Sequence, residues 1–316
     1  MPKIVVTEFM DDDAIAAMSS EHDTHYDQGL ADRQEEIIPL VADAAALVVR
    51  NRTRVTAELL DAAPGLACVG RLGVGLDNID LEACKARGVT VYPATGANNL
   101  SVAEYAITNA MGLLRGAYQA RDAMLAGEWP RQALIGRELA GRVMGLIGFG
   151  GIAREVGIRA HMLGMEIVAH DPYCLADDPG WQLARNLSLD GVLEMSDVVS
   201  LHVPLTDSTR HILNAEALAK MKPGAIVINT SRGGIVDEEA LAAALSEGRL
   251  GGAALDVFET EPLTADAAAK FKGLDNLVLT PHIAGVTEES NVRVSAVTAQ
   301  AVLSHLAGKG SQEGAS

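Results

Sequence analysis

The sequence predicts an α/β protein of two doubly wound parallel-sheet domains, and three observations lead there. Short apolar, β-rich runs alternate with helical stretches along the chain. Most of those runs are continuous rather than alternating, as in parallel strands covered on both faces. With 316 residues the chain can bury two cores.

In chain order, strands are expected at residues 4–6, 45–49, 66–70, 90–92, 143–147, 166–169, 197–201, 225–229, 253–257 and 277–279. Helical patterns lie between them, among them 56–63, 151–163, 238–247 and 288–306. Strand–helix repetition of this kind gives right-handed crossovers. One helical stretch is longer than the rest. Ser101-Val102-Ala103-Glu104 reads as a capping box with Ser101 as N-cap. Helix-favouring sequence continues to Ala126, where Gly127 stops it. About 25 residues would span roughly 37 Å and bridge two domains. A second crossing is expected near Gly285, after which a final helix returns to the first domain. The tail 308–316, rich in glycine and serine, is expected to be disordered.

Composition excludes several classes of function. A formal net charge of −17 opposes nucleic acid as a partner. No apolar run reaches the roughly eighteen residues of a membrane span. The start, Met1-Pro2-Lys3-Ile4, reads as a first strand rather than a signal peptide. Cys68, Cys84 and Cys174 have no metal-type spacing; an odd, sparse set of this kind fits reduced core thiols in a cytoplasmic protein. An anionic substrate would need a local positive pocket against the protein's own field, which turns attention to the arginines.

Residues 143–147 run into Gly148-Phe149-Gly150-Gly151-Ile152-Ala153, the G-x-G-x-x-A form of a dinucleotide turn. Gly148 allows the tight turn, Gly150 lets a pyrophosphate approach the backbone, and Ala153 permits close helix–strand packing. The helix N-terminus offers free N–H groups to the phosphates. Glycine-rich turns without a ligand are common, so context decides. A second strand ends in Asp171, about twenty residues on, where a carboxylate accepts ribose hydroxyls and repels a 2′-phosphate. No arginine follows in His170-Asp171-Pro172-Tyr173, so the cofactor reads as NAD rather than NADP. The competing role for Asp171 is a turn residue before Pro172.

Three segments at strand ends carry titratable groups: Arg232 in Thr230-Ser231-Arg232-Gly233, Glu261 in the run from Asp256, and His282 in Thr280-Pro281-His282. Ligands of open parallel sheets bind beyond such ends. Reducing a 2-oxo acid needs a cationic clamp, a proton donor and a hydride. Arg232 suits the clamp through its planar fork, and His282 suits acid–base work. Glu261 would orient the ring and favour its charged form, and Asp256 could hold a nicotinamide carboxamide. Each also has a bland reading as a surface ion pair, a loop acid or a turn residue, but the three together downstream of a nucleotide loop do not. His202, before Pro204, reads as a structural or cofactor-lining residue.

These segments, with Gly70-Arg71-Leu72-Gly73-Val74-Gly75-Leu76-Asp77-Asn78, Asn98-Asn99-Leu100-Ser101-Val102-Ala103-Glu104 and Leu201-His202-Val203-Pro204, resemble the D-2-hydroxyacid dehydrogenases, especially their phosphoglycerate dehydrogenase branch. The resemblance covers about residues 45–285. It implies two Rossmann-like domains: a discontinuous catalytic domain of residues 1–98 and 286–316, and an inserted NAD-binding domain, 99–285. It implies catalytic roles for Arg232, Glu261 and His282. Gly148, Gly150, Gly151, Ile152, Asp171, Pro204, Thr230, Asp256 and Gly285 fall at the cofactor. The substrate would meet Arg50, Asn51, Asn98 and the backbone amides of Val74 and Gly75. A homodimer formed through cofactor domains is also implied. Two departures stand out: Gly151 replaces a basic or polar residue, and Ala153 a third glycine. The chain's end soon after its last helix implies that no regulatory domain follows.

Arg50, Arg52, Arg54 and Arg71 cluster in sequence around the expected substrate side; a solvated face accounts for some of them, with Arg54 at a helix start. They point to a second anionic group on the substrate, as in 3-phosphoglycerate or (S)-sulfolactate; glyoxylate or hydroxypyruvate is the less charged alternative. A nucleotide-sensing corepressor of the same fold is the rival class, opposed by the intact Arg232, Glu261 and His282 set.

Overall fold

The computed structural model describes residues 1–308, so the expected disorder beyond residue 308 lies outside the described residues. The chain divides into two compact units: Met1–Asn98 with the chain from Val286 on, and Asn99–Gly285.

The first unit contains β1 (Lys3–Val6), α1 (Asp12–Glu21), β2 (Asp23–Tyr26), α2 (Ile37–Val41), β3 (Ala44–Val49), α3 (Ala57–Asp61), β4 (Cys68–Arg71), α4 (Leu81–Ala86) and β5 (Thr90–Pro93). Its strands form a parallel five-stranded sheet in the order β2-β1-β3-β4-β5. Successive strand residues point to opposite faces. Val5, Leu47 and Val69 therefore enter one core, and Ile4, Val6, Ala46 and Val48 another. Double coverage explains the unbroken apolar runs.

The second unit contains α5 (Asn99–Arg115), α6 (Arg121–Leu125), β6 (Val143–Ile147), α7 (Gly151–Met162), β7 (Glu166–His170), β8 (Arg185–Asn186), α8 (Leu189–Met195), β9 (Val198–Leu201), α9 (Ala215–Lys220), β10 (Ile226–Asn229), α10 (Glu238–Ser246), β11 (Gly252–Leu255) and β12 (Leu277–Leu279). Seven parallel strands run in the order β12-β11-β10-β9-β6-β7-β8. Here too alternate residues part company: Ile226 and Ile228 pack with the α5 and α7 side chains, Val227 on the other face. The last helix, α11 (Glu288–Leu306), belongs to the first unit. It lies so close to β4 that a Cβ on Gly70 would meet Thr298 and Val302 methyls at 2.8 Å.

Four expectations are corrected. The long helix starts at Asn99, inside which Ser101 is buried with Val102 and Ala103, so Ser101 is no cap; packing of the first turn overrides the capping pattern. It stops after 17 residues because Gly116 turns left-handed at φ 61°, and it packs on α7, β10 and β11 within its own unit. Strands β2 and β8 were not foreseen: both are sheet edges, and neither carries an apolar run. Cys174 is only half-buried, unlike Cys68 and Cys84. Among the described residues no helix is long and apolar enough to cross a membrane.

Candidate active site

The sheet order of the second unit reverses between β6 and β9, the place where open α/β sheets bind ligands. The glycine turn follows β6 directly. Gly148 takes φ 87°, its N–H donates to the His170 carbonyl at 2.8 Å, and an added Cβ would stand 2.4 Å from the His202 carbonyl oxygen. Gly150 ends the turn as N-cap of α7, with open space where its Cβ would be. Ala153 is fully buried and Ile152 packs against the same core.

At Gly151 the space of a side chain is already taken. A Cβ there would meet the Asn99 amide nitrogen at 2.6 Å, so a polar group from α5 occupies the space of a side chain at this position. Asp171, ending β7, holds this turn: one carboxylate oxygen accepts from the Phe149 N–H at 2.8 Å, the other from the Tyr173 N–H at 2.9 Å. The turn role and a position beside the glycine loop thus coexist. Thr230, at the end of β10, has a buried hydroxyl with no partner among the described residues. An open amide-lined turn, a carboxylate beside it and an unused hydroxyl suit NAD. Pro204 is exposed, and its carbonyl accepts from Thr209.

Arg232 follows Thr230 on a loop that Asn229 braces. The buried Asn229 amide donates to the Arg232 carbonyl at 2.9 Å and accepts from the Ser231 N–H at 3.0 Å. Gly233 then passes so near the next loop that a Cβ would lie 1.7 Å from the Phe258 carbonyl oxygen. That next loop carries Glu261. Its Oε1 accepts from the Phe258 N–H at 2.9 Å and its Oε2 meets His282 Nδ1 at 2.8 Å. Burial would raise the Glu261 carboxyl, but the His282 hydrogen bond, the Phe258 amide and the charges of His282 and Arg232 outweigh it and hold it below the usual range. Arg232, Glu261 and His282 are therefore brought together within one unit.

His282 sits at φ 56°, in the left-handed region, and the structure shows what keeps it there. Its N–H donates to the Asp256 carbonyl at 2.9 Å. The buried Asp256 carboxylate accepts from the Thr280 hydroxyl at 2.6 Å and from the Ile283 and Ala284 amides at 2.8 Å each, one residue before Gly285. Tyr105 reaches Thr280 at 2.6 Å. Asp256, assigned to the cofactor from sequence, has this bracing task as well. Asn229, Tyr105 and Thr280 were not found by sequence reasoning; their only signal was adjacency to the motifs. His202 is different: burial pushes its imidazole down to about 4, and its Nε2 pairs with Ser200 at 2.9 Å. A ring neutral at pH 7 fits the lining role.

In the first unit the sheet order reverses between β1 and β3. Arg50 and Asn51 leave β3 there, and Glu8, buried just beyond β1, meets them. Its carboxylate accepts from the N–H groups of Arg50 (2.8 Å), Asn51 (3.3 Å), Arg52 (3.1 Å) and Thr53 (3.0 Å). Arg50 itself donates to Asn291 at 2.8 Å; burial lowers its pKa against the charge of Glu8. The Arg71 guanidinium lies over Gly73, next in the chain to the exposed Val74 and the half-buried Gly75. Asn98 keeps a buried carbonyl oxygen without a partner among the described residues. Of the four arginines grouped in sequence, Arg52 is ion-paired with Asp32 and Arg54 is exposed.

Residues 107–284 match the family described as "D-isomer specific 2-hydroxyacid dehydrogenase, NAD binding domain". The chain is 54% identical over 299 residues, 94% of its length and 96% of the other, to an (S)-sulfolactate dehydrogenase of Chromohalobacter salexigens. It is 44% identical to a hydroxypyruvate reductase of Thermotoga maritima, covering 83% and 84% of the two chains. Against a D-3-phosphoglycerate dehydrogenase of Methanocaldococcus jannaschii it is 38% identical, covering 98% of this chain but 58% of the other. The crystal structure of an Aquifex aeolicus D-lactate dehydrogenase with NAD and lactic acid superposes with TM-score 0.82 at 29% identity, covering 97% and 96% of the chains. With its two parallel sheets and its glycine turn, the chain belongs to the D-isomer-specific 2-hydroxyacid dehydrogenases, oxidoreductases that use NAD.

Proposed function

We propose that this enzyme interconverts a three-carbon D-configured 2-hydroxy acid with a second anionic group, of the (S)-sulfolactate or 3-phosphoglycerate type, and its 2-oxo acid. The observation that carries the reaction is the 2.8 Å Glu261–His282 pair beside the charge of Arg232. With Nδ1 on Glu261, Nε2 is the nitrogen that exchanges a proton with the substrate oxygen. The charged ring donates there in reduction; the neutral ring accepts there in oxidation. Arg232 binds the carboxylate and carbonyl end through its fork. NAD, when bound, takes up or supplies the hydride. Gly148, Gly150, Gly151 and Ile152 receive its phosphates and Asp171 its ribose diol, with Thr230, Pro204, Asp256 and Gly285 along the rest.

In the first unit the amides of Val74 and Gly75 receive the substrate carboxylate, with Asn51 and Asn98 beside it, and Arg50 and Arg71 read the second anion. Similarity to the sulfolactate dehydrogenase supports the sulfonate. The pairing of Arg52 with Asp32 favours the less charged reading, hydroxypyruvate or glyoxylate, because it leaves fewer cations for a dianion. A panel of NADH-oxidation rates decides between them. Sulfopyruvate should show the highest kcat/KM, and Arg71→Ala should raise its KM more than that of glyoxylate. Equal proportional losses on both would remove the second-anion site. We also read the chain as a homodimer: Tyr118, Leu125, Trp129 and Ile135 leave a strongly exposed apolar stretch on the second unit, which a second copy would cover. Sedimentation equilibrium tests it, and a monomer at micromolar concentration would refute it.

A further inference from the structure

NADP-dependent enzymes hold the 2′-phosphate with an arginine near the end of the second strand. None follows Asp171 in this sequence, but the fold brings one from α7. Arg154 donates from Nε to the Phe149 carbonyl at 3.0 Å, within the glycine turn. Its guanidinium stands 5.2 Å from the centre of the buried Phe149 ring, which also stacks on Trp181 at 4.7 Å. Asp171 holds the N–H of the same Phe149. An acid and a base therefore grip one residue of the cofactor turn, the acid at its N–H and the base at its carbonyl.

The base is not available to an anion. Arg154 Nη2 is ion-paired with Asp178 Oδ1 at 2.9 Å and points at the Cys174 sulfur at 3.7 Å. Asp178 is itself fixed, accepting from the Gly180 N–H at 2.7 Å as cap of the turn that carries Trp181. The Arg154 hydrogen bond and the Gly180 amide both hold the Asp178 carboxyl below the usual range, so it stays charged at neutral pH. A 2′-phosphate arriving here would meet two carboxylates and one neutralised guanidinium.

We propose that Asp178 is a cofactor-specificity residue: by pairing with Arg154 it withholds that guanidinium from a 2′-phosphate and reinforces the preference for NAD set by Asp171. This rests on the ribose role read for Asp171. Without Asp178, Arg154 becomes a ready phosphate ligand, since its planar fork suits phosphate oxygens.

The test is direct binding of NADH and NADPH, followed by nicotinamide fluorescence, to the full chain and three variants. Wild type should prefer NADH at least about tenfold, because a carboxylate opposes the phosphate. Failure of that preference, or of NADH binding itself, would fault the Asp171 reading before any variant is considered. Asp171→Ser should narrow the gap. Adding Asp178→Asn, which keeps an acceptor for the Gly180 amide, should tighten NADPH a further fivefold or so while NADH stays within about twofold. Adding Arg154→Ala to the pair should erase that gain. Unchanged NADPH affinity on Asp178→Asn, a gain that survives without Arg154, or a parallel loss of both cofactors would each overturn the proposal.

Discussion

The two units solve the same topological problem in opposite ways. Each is an open parallel sheet whose strand order reverses once, and in each a loop follows the strand at the reversal. In the second unit that loop is mostly glycine, with the Phe149 ring turned into the core: Gly150 faces open space and its turn leads straight into α7. In the first unit the equivalent amides are already spent. The backbone N–H groups of residues 50–53 converge on the buried carboxylate of Glu8. The glycine turn uses its first amides, Gly148 on the His170 carbonyl and Phe149 on Asp171, before it opens into the N-terminus of α7. In the other, the amides of residues 50–53 are satisfied internally, and the loop presents the Arg50 side chain instead.

If that division is right, damage to the second unit's chemistry should be the largest effect and should leave cofactor binding alone. His282→Ala should lower kcat by about 10²–10⁴-fold, the usual worth of a general acid–base group, with the NADH Kd unchanged within about twofold. Glu261→Gln should lower kcat for oxo-acid reduction while NADH binding holds, because the ring loses the carboxylate that orients it. Since the Glu261 carboxyl is held below its usual range, its charge is fully present above that range and is lost as pH falls through the lowered value. The wild-type dyad should therefore stay intact at mildly acidic pH. Stopped-flow NADH oxidation across pH reads these effects, and an unchanged kcat in Glu261→Gln would take Glu261 out of the dyad.

The first unit can be broken on its own by removing its internal anion. Glu8→Ala strands several amides and should cost about 3 kcal/mol, the penalty for leaving buried donors unpaired. Glu8→Gln keeps an acceptor and should recover much of it. The functional loss should fall on oxo-acid KM, through a displaced Arg50, while NADH binding holds. Urea denaturation with a KM and NADH titration series checks this. A variant that weakens NADH and substrate alike would erase the contrast between the two crevices.

A smaller effect tests the histidine packed beside the glycine turn. His202 is pushed down to about 4 from an ordinary 6.5, so the unfolded chain takes up its proton before the native one does. Stability from this group is complete above pH 6.5 and is lost as pH falls toward 4. Discounted for partial exposure, the shift amounts to about 2 kcal/mol. His202→Gln lacks that loss, so its stability should decline less between those pH values. Parallel stability–pH curves for the two proteins would show that the ring is hydrated in the native state.

How far sequence reading reached also differs between the units. In the second, the candidate site is written in local strings: the turn from Gly148 to Ala153, Asp171 just past a strand, and Arg232, Glu261 and His282 each just past one. Strand ends in a parallel sheet converge by topology alone, so the trio could be assembled without coordinates. The braces could not, because Asp256, Thr280 and Tyr105 act through contacts between segments far apart in the chain. Glu8 was silent for the same reason: nothing about an acid after β1 reveals that it meets residues 50–53. The edge strands β2 and β8 escaped because an edge needs little apolar pattern, and the break in α5 because one glycine, Gly116, outweighed a long helix-favouring run.

The smallest expected effect separates the arginines that only sequence grouped together. Arg52 is about half exposed and ion-paired with Asp32, whose side chain is more exposed still. An exposed pair of this kind is worth at most about 1 kcal/mol and weakens with salt. Arg50 is part-buried between the influence of Glu8 and a 2.8 Å bond to Asn291, a setting that fixes the direction of its guanidinium. Arg52→Ala should therefore change KM for sulfopyruvate, phosphohydroxypyruvate and glyoxylate by less than about twofold, within what loss of a surface pair allows. Arg50→Ala and Arg71→Ala should cost more, and most on the two dianions. Raising ionic strength should shrink that excess, since the second charge is read electrostatically. A large, dianion-selective penalty in Arg52→Ala would mean that Asp32 releases its partner when substrate arrives, and the first unit's recognition would then rest on its exposed rim rather than on the loop that Glu8 holds.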